Sequence, residues 1–201
     1  MSMIILRIEK AGKDFILRGD NEEEIRITES VFVRHNLYKG KDLSQDEIRE
    51  IHADSKRQEA IDIALSKLRN RKTEGEIRRL LSEREFADTT IDAAISYLET
   101  YGYVDDREYA ILYCRDKKNI NGYGPIKIAY LLRQKKVPDD CIDRALAEYS
   151  VEEEIEKIRA LTEKRFVRGG SLKKEKPKII RFFMNRGFHY DAIRKGMSEW
   201  T

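Results

Sequence analysis

Apolar residues recur along most of this chain at the i, i+3, i+4, i+7 spacing of an amphipathic helix. Ile77, Leu80, Leu81 and Phe86 return as Ile128, Leu131, Leu132 and Val137, then as Ile179, Phe182, Phe183 and Phe188, each set 51 residues after the last. The offset continues downstream, where Ile91, Ala94, Ile95 and Leu98 become Ile142, Ala145, Leu146 and Tyr149, then Ile193, Gly196, Met197 and Trp200. Another helical stretch precedes each pair: Ile61, Ala64, Leu65, Leu68; Tyr109, Ala110, Tyr113, Cys114; Ile155, Ile158, Leu161. A fixed period of this length marks a repeat protein. The expected fold is therefore mainly α: three-helix units at 57–104, 105–150 and 151–201, stacked in an elongated array in which each unit contacts mainly its neighbours.

Polar residues at the edges of these stripes support the division. Thr73 with Glu76 fits a capping box, in which hydroxyl and carboxylate each satisfy an orphan backbone N–H. Pro125 and Pro177 are placed at the entrances of the middle helices of the second and third units, where a missing N–H costs nothing. Gly102 can take the left-handed conformation that ends the helix near Leu98. Asp105, followed by Glu108, caps the next unit's first helix. The connection between first and second helices is expected to be short in the first unit (Asn70–Thr73), longer in the second (Asn119–Gly124), and long and basic in the third (Phe166–Lys176).

Residues 1–56 follow a different rhythm. Ile4, Leu6 and Ile8 alternate with their neighbours, and Phe15–Leu17 and Ile25–Ile27 are short apolar pieces, which predicts two or three short strands. Thr28–Leu37 and Ser44–Ile51 read as helices, the second opening with Ser44 and Glu47 as another capping box. Together they form a small N-terminal extension, a β-hairpin with helices.

Charge changes the picture in one region. The net charge of the 201-residue chain is only +3, yet residues 157–195 hold thirteen Lys and Arg against three acidic residues, a local net of +10. Basic residues also recur at one place in each unit, the turn after the first helix. They are Arg69, Arg71 and Lys72 in the first unit, Arg115, Lys117 and Lys118 in the second, and Arg165, Arg168, Lys173, Lys174 and Lys176 in the third. Equivalent positions that are all basic form a candidate binding stripe along the array. Tyr123, Tyr130 and Phe166 accompany these clusters; core packing or loop anchoring is the first reading, base stacking the second. Lys135 and Lys136 end a helix, where cations complement its dipole.

Other chemistry finds little footing. Asp105 and Asp106 read as helix-start carboxylates rather than a metal or acid–base pair. His35, His52 and His189 lie far apart and lack an HxxxH or His–carboxylate grouping, so neither a metal site nor a triad is indicated. GGSLKKEKPK at 169–178 lacks the ending of a phosphate-binding loop. Cys114 and Cys141 lie in helical stripes and read as small core residues of a reducing cytosol. No apolar run approaches the ~20 residues of a membrane span. The expectation is a cytoplasmic, non-enzymatic protein with no catalytic residues, metal, cofactor, small-molecule substrate or membrane partner.

The ordered series ALSKLRNRKTEGEIRRLL (64–81), YLETYGYVDDREYA (97–110), GYGPIKIAYLLRQKKV (122–137) and RGFHYDAI (186–193) resembles the RecX family. The lead-in LYKGKDLSQDEIREI (37–51) is similar to the amino-terminal extension of its Gram-positive members. The resemblance implies tandem three-helix units that bind within the groove of RecA filaments on DNA. It also implies negative regulation of recombination: suppression of filament growth, ATP hydrolysis and strand exchange. The RecA filament is the partner so implied, with single- or double-stranded DNA bound weakly. The alternative is a helical DNA-binding protein that does not engage RecA.

Overall fold

The computed structural model describes residues 2–166 and 175–198 in full, and the backbone alone over 172–174. The N-terminal segment is an antiparallel sheet of β1 (Met3–Ala11), β2 (Asp14–Gly19), β3 (Glu24–Thr28) and β4 (Asp42–Leu43), in the order β3-β2-β1-β4. Helix α1 (Glu29–Arg34) and the start of α2 (Gln45–Lys67) complete it. The expected alternation in β1 is reversed at its start and restored further on: Met3 and Ile5 are fully buried and Ile4 and Leu6 exposed, whereas Ile8, beyond an irregularity of register between Ile5 and Arg7, packs against the core. Four consecutive apolar residues, MIIL, leave the inner face ambiguous, and a shift of one residue exchanges the two faces.

Helix α2 is one continuous 23-residue helix, not two separated segments. Its Ser44 cap forms the expected box, the Ser44 hydroxyl accepting from the Glu47 N–H at 3.2 Å while the Glu47 carboxylate accepts from the Ser44 N–H at 2.9 Å. The residues between the two predicted segments, HADSKRQEA (52–60), contain neither Gly nor Pro, so nothing interrupts the helix. Ile48 and Ile51 belong to the core of the sheet segment, and Ala60, Ile61 and Ala64 to the next core.

Eight further helices follow: α3 (Glu74–Ser82), α4 (Asp88–Thr100), α5 (Asp106–Asn119), α6 (Pro125–Gln134), α7 (Asp139–Ala147), α8 (Val151–Arg165), α9 (Leu172–Asn185) and α10 (Tyr190–Gly196). Their buried residues form three further hydrophobic clusters, Ala60–Val104, Ala110–Tyr149 and Ile158–Met197. By its contacts the chain divides into two compact units. One comprises Met1–Lys72 with Ile77–Val104, and the other Thr73–Glu76 with Asp105–Thr201.

The period of 51 reappears in the backbone. Glu85, Lys136 and Gly187 all have positive φ, at 63° or below for the first two and 79° for the glycine. At each, the next amide closes back onto a fully buried residue. Phe86 N donates to the Leu81 carbonyl at 3.3 Å, Val137 N to Leu132 at 3.2 Å and Phe188 N to Phe183 at 3.2 Å. A second bond joins 85 to 82, 136 to 133 and 187 to 184, completing the same Schellman corner three times. Gly102 closes α4 in the same way, its φ of 69° allowing Tyr103 N to reach the Leu98 carbonyl at 2.8 Å.

The third unit departs from expectation at its middle helix. α9 begins at Leu172, so Pro177 lies inside it rather than at its entrance, and residues 172–176 are helical rather than loop. LKKEK is rich in helix formers and extends the helix backward beyond the proline; the proline then removes one internal hydrogen bond.

Candidate functional site

In the first two units the basic positions fall where the first helix ends; in the third Arg165 does so, whereas Lys173, Lys174 and Lys176 lie on the middle helix α9 rather than in the turn before it. Arg69 and Arg71 are exposed in the turn between α2 and α3, with Lys72 half-buried beside them. Arg115 is exposed on α5, and Lys117 and Lys118 occupy its last turn. Arg165 is exposed in the last turn of α8, and Lys176 on α9. Arg168 lies outside the described residues, as do the side chains of Lys173 and Lys174.

These cations are not equivalent. Lys118 pairs with Glu153 at 2.9 Å and lies 4.8 Å from the Tyr149 ring centroid, so its charge is spent within the fold. Lys117 sits 5.0 Å over Tyr113, and Arg165 4.8 Å over Phe182. Both keep a cation at the surface while an aromatic face fixes its direction.

The second compact unit carries cations that the basic stripe omits. Arg186 lies between two rings, 4.6 Å from Phe182 and 5.9 Å from Tyr123, and its guanidinium donates to the carbonyls of Asn121 and Gly122. Lys127 covers the same Tyr123 at 5.1 Å. Tyr123 is thus an anchor under two cations rather than a bare stacking face. Phe166 packs edge-on against Phe182 and belongs to the core margin, while Tyr130 is exposed and accepts from the Gln134 amide at 2.7 Å.

Lys135 donates to a Glu76 carboxylate oxygen at 2.7 Å and lies 5.7 Å over Tyr109. Burial works to lower its pKa, but the bonds to Glu76 and Tyr109 outweigh it and hold the ammonium above its ordinary range. Its neighbour Thr73 is fully buried. The Thr73 hydroxyl donates to the Lys135 carbonyl at 2.7 Å and accepts from the Glu76 N–H at 3.1 Å, so the predicted capping box also docks on the end of α6. The same docking recurs 51 residues on, where Gly124 N donates to the Arg186 carbonyl at 2.8 Å and Ile126 N to the Gly187 carbonyl at 3.0 Å. Arg84, Lys135 and Arg186 therefore form a second recurring basic position, legible in the same offset that aligns the cores.

The remaining polar candidates resolve into structure. Asp105 accepts from the N–H groups of Arg107 and Glu108 at 2.9 and 3.0 Å, the expected cap. Asp106 accepts from Glu74 N at 2.9 Å. Contrary to the sequence reading, each histidine meets a carboxylate from afar: His35 with Asp54 at 3.0 Å, His52 with Glu23 at 3.8 Å, and His189 with Glu154 at 2.9 Å. Glu154, only 2% exposed, also accepts from His189 N and so caps α10. Nothing in its local sequence separates it from its exposed neighbours Glu152 and Glu153. The thiols of Cys114 and Cys141 are buried and unpaired, and burial pushes both above the ordinary thiol range. Among the described residues no three His, Cys, Asp or Glu gather as a metal site, and no helix is long and apolar enough to cross a membrane.

The fold is one of three-helix segments following a small antiparallel sheet. The RecX second three-helix domain matches residues 105–146, and the RecX third three-helix domain matches 152–197. Regulatory protein RecX of Clostridium acetobutylicum is 34% identical over 202 residues, covering 96% of this chain and 94% of that protein. Its counterpart from Leuconostoc mesenteroides is 31% identical over 92% of this chain and 71% of its own. Among solved structures, RecX from Lactobacillus salivarius is similar with a TM-score of 0.67 at 26% identity, covering 72% of this chain and 96% of that one. A crystal structure of regulatory protein RecX gives a TM-score of 0.79 at 24% identity over 98% of this chain and 99% of that one, and supports the fold. The chain belongs to the RecX family and is a regulatory protein with the three-helix fold of that family.

Proposed function

We propose that this chain regulates the RecA recombinase by binding in the groove of the RecA–DNA filament, inhibiting filament growth, ATP hydrolysis and strand exchange. It does so in the cytoplasm by occupancy, without catalysis or cofactor. The observation that carries this reading is the repeated placement of cations, Arg69 and Arg71, Arg115 and Lys117, and Arg165, at the end of the first helix in each three-helix segment, all exposed except the half-buried Lys117. We take the segments 57–104, 105–150 and 151–201 as three binding modules. Modest contacts from linked modules add through effective concentration.

The test reverses Arg69, Arg71, Arg115, Lys117, Arg165 and Arg168 to Glu. Inhibition of RecA ATP hydrolysis is expected to be lost while helical circular dichroism and melting temperature stay nearly unchanged, because exposed charges contribute little stability but matter strongly in a desolvated interface. A folded variant that inhibits as well as the parent removes this surface from the mechanism. Binding that falls about one power of salt concentration per neutralised phosphate, with no remainder for protein docking, favours the DNA-binding alternative.

A further inference from the structure

The end of the middle helix is a docking corner in two of the three repeats. At Lys135–Lys136 it receives the helix start Thr73–Glu76, and at Arg186–Gly187 it receives Gly124–Ile126. All four segments lie in the second compact unit. Each approach is too close for a side chain at one point. A Cβ on Gly75 would stand 2.3 Å from the Lys136 Cβ, and one on Gly124 would stand 2.3 Å from the Gly187 carbonyl oxygen.

The equivalent corner of the first repeat is Arg84–Glu85–Phe86, in the other unit. It has the same closing bonds and the same left-handed residue. No helix start reaches the Arg84 carbonyl among the described residues. An open cleft of about 400 Å³ lies there instead, lined by Lys56, Ile63, Arg84, Glu85, Phe86 and Thr90 among others. Phe86 is only partly buried, whereas its counterparts Val137 and Phe188 are 4% and 0% exposed.

This corner matches the Lys135–Lys136 corner rather than the glycine one. Arg84 stands where Lys135 stands, and the left-handed residue carries a side chain, Glu85 for Lys136. What fits the second corner is a helix start of defined chemistry. Thr73 donates its hydroxyl to the corner carbonyl, Gly75 permits the close approach, and Glu76 pairs with the cation at 2.7 Å. We propose that the Arg84–Phe86 corner is a docking surface for a partner protein presenting a helix that opens Ser/Thr-x-Gly-Glu, held by a hydroxyl bond to the Arg84 carbonyl and an ion pair to the Arg84 guanidinium.

The chain supplies its own probe: a helix-stapled peptide of residues 71–82, RKTEGEIRRLLS, titrated into the isotopically labelled full-length protein. Saturable amide shifts are expected at Lys56, Ile63, Arg84–Phe86 and Thr90. Gly75→Ala in the peptide should abolish them, and Arg84→Glu in the protein should weaken binding about tenfold, the loss of one charge-assisted contact. Arg84 is exposed, so unchanged helical circular dichroism serves as the folding control. Shifts absent at millimolar peptide, confined to Lys135–Val137, or indifferent to both substitutions would overturn the proposal.

Discussion

The segments 105–149 and 151–197 are built on one apolar plan and finished with different polar detail. Ile128, Leu132 and Ile142 recur as Ile179, Phe183 and Ile193, all fully buried, and both middle helices end in the same Schellman corner. The polar fittings diverge. The first segment enters its middle helix through Gly124 and Pro125, with proline at the first position; the second starts at Leu172 and carries Pro177 inside. The first starts its last helix with no side-chain cap, while the second uses the buried Glu154 to bond His189. Position in the apolar stripe and the corner that closes the middle helix are what the repeat preserves, and helix starts are where each copy is free to differ.

The largest effects should therefore come from the shared plan. Leu132→Ala and Phe183→Ala remove fully buried side chains at equivalent places, and each is expected to cost about 2–5 kcal/mol, with Phe183 at the upper end. Leu81→Ala should behave alike. Denaturant unfolding measures this, and a negligible loss at all three would break the alignment of the cores.

Gly187→Ala comes next. The substitution places a Cβ 2.2 Å from the Lys127 amide nitrogen and requires φ near 79° from an L side chain. Left-handed strain alone is about 1–2 kcal/mol, and the backbone contact adds to it, so a loss of about 2 kcal/mol or more is expected. A variant as stable as the parent shows that α6 and the end of α9 do not meet there in solution.

Glu154→Gln tests a fitting present in one segment alone. The amide keeps the volume and can still accept from His189 N, but loses charge-assisted contact with the ring. The expected cost is about 1–2 kcal/mol, read by unfolding at neutral pH. Pro177→Ala should act oppositely, restoring an internal hydrogen bond and giving a gain of about 1–2 kcal/mol after the greater freedom of the unfolded chain is deducted. A loss there would show that α9 begins at the proline after all.

The parts of this molecule legible in its sequence are those governed by periodicity. The 51-residue offset locates the stripes that become the three helical cores, and Ser44, Thr73 and Asp105 cap helices as their side-chain chemistry dictates. What was hidden depends on long-range encounter. The inner face of β1 is ambiguous because both faces begin apolar, and α2 continues because nothing stops it. The carboxylate partners of the histidines lie 19 to 35 residues away in the chain, or 29 for His52. Lys135 reads locally as a helix-end cation; only the fold brings Glu76 and Tyr109 to it. Arg84, Lys135 and Arg186 were nonetheless detectable, since they share the offset that aligned the cores.

The smallest effect sharpens the comparison most, because it asks whether one corner geometry is the same with and without glycine. Lys136 and Glu85 hold φ near 63° and 61°, a conformation that disfavours side chains, while the third copy uses Gly187. Lys136→Gly and Glu85→Gly should each relieve left-handed strain of about 1–2 kcal/mol and give back part of it in the larger entropy lost by glycine on folding. The net gain expected is about 0.5–1 kcal/mol. Global unfolding would blur so small a change, so the local readout is hydrogen exchange at Val137 and Phe86, whose amides close the two corners onto Leu132 and Leu81. Protection should rise by about twofold to fivefold in each variant, 0.4–1 kcal/mol in exchange free energy at about 1.4 kcal/mol per tenfold. A fall in protection at either amide would mean that the side chain at the corner holds it closed, as Lys136 could through its contact beside Gly75, and that the three corners share a shape without sharing a cause.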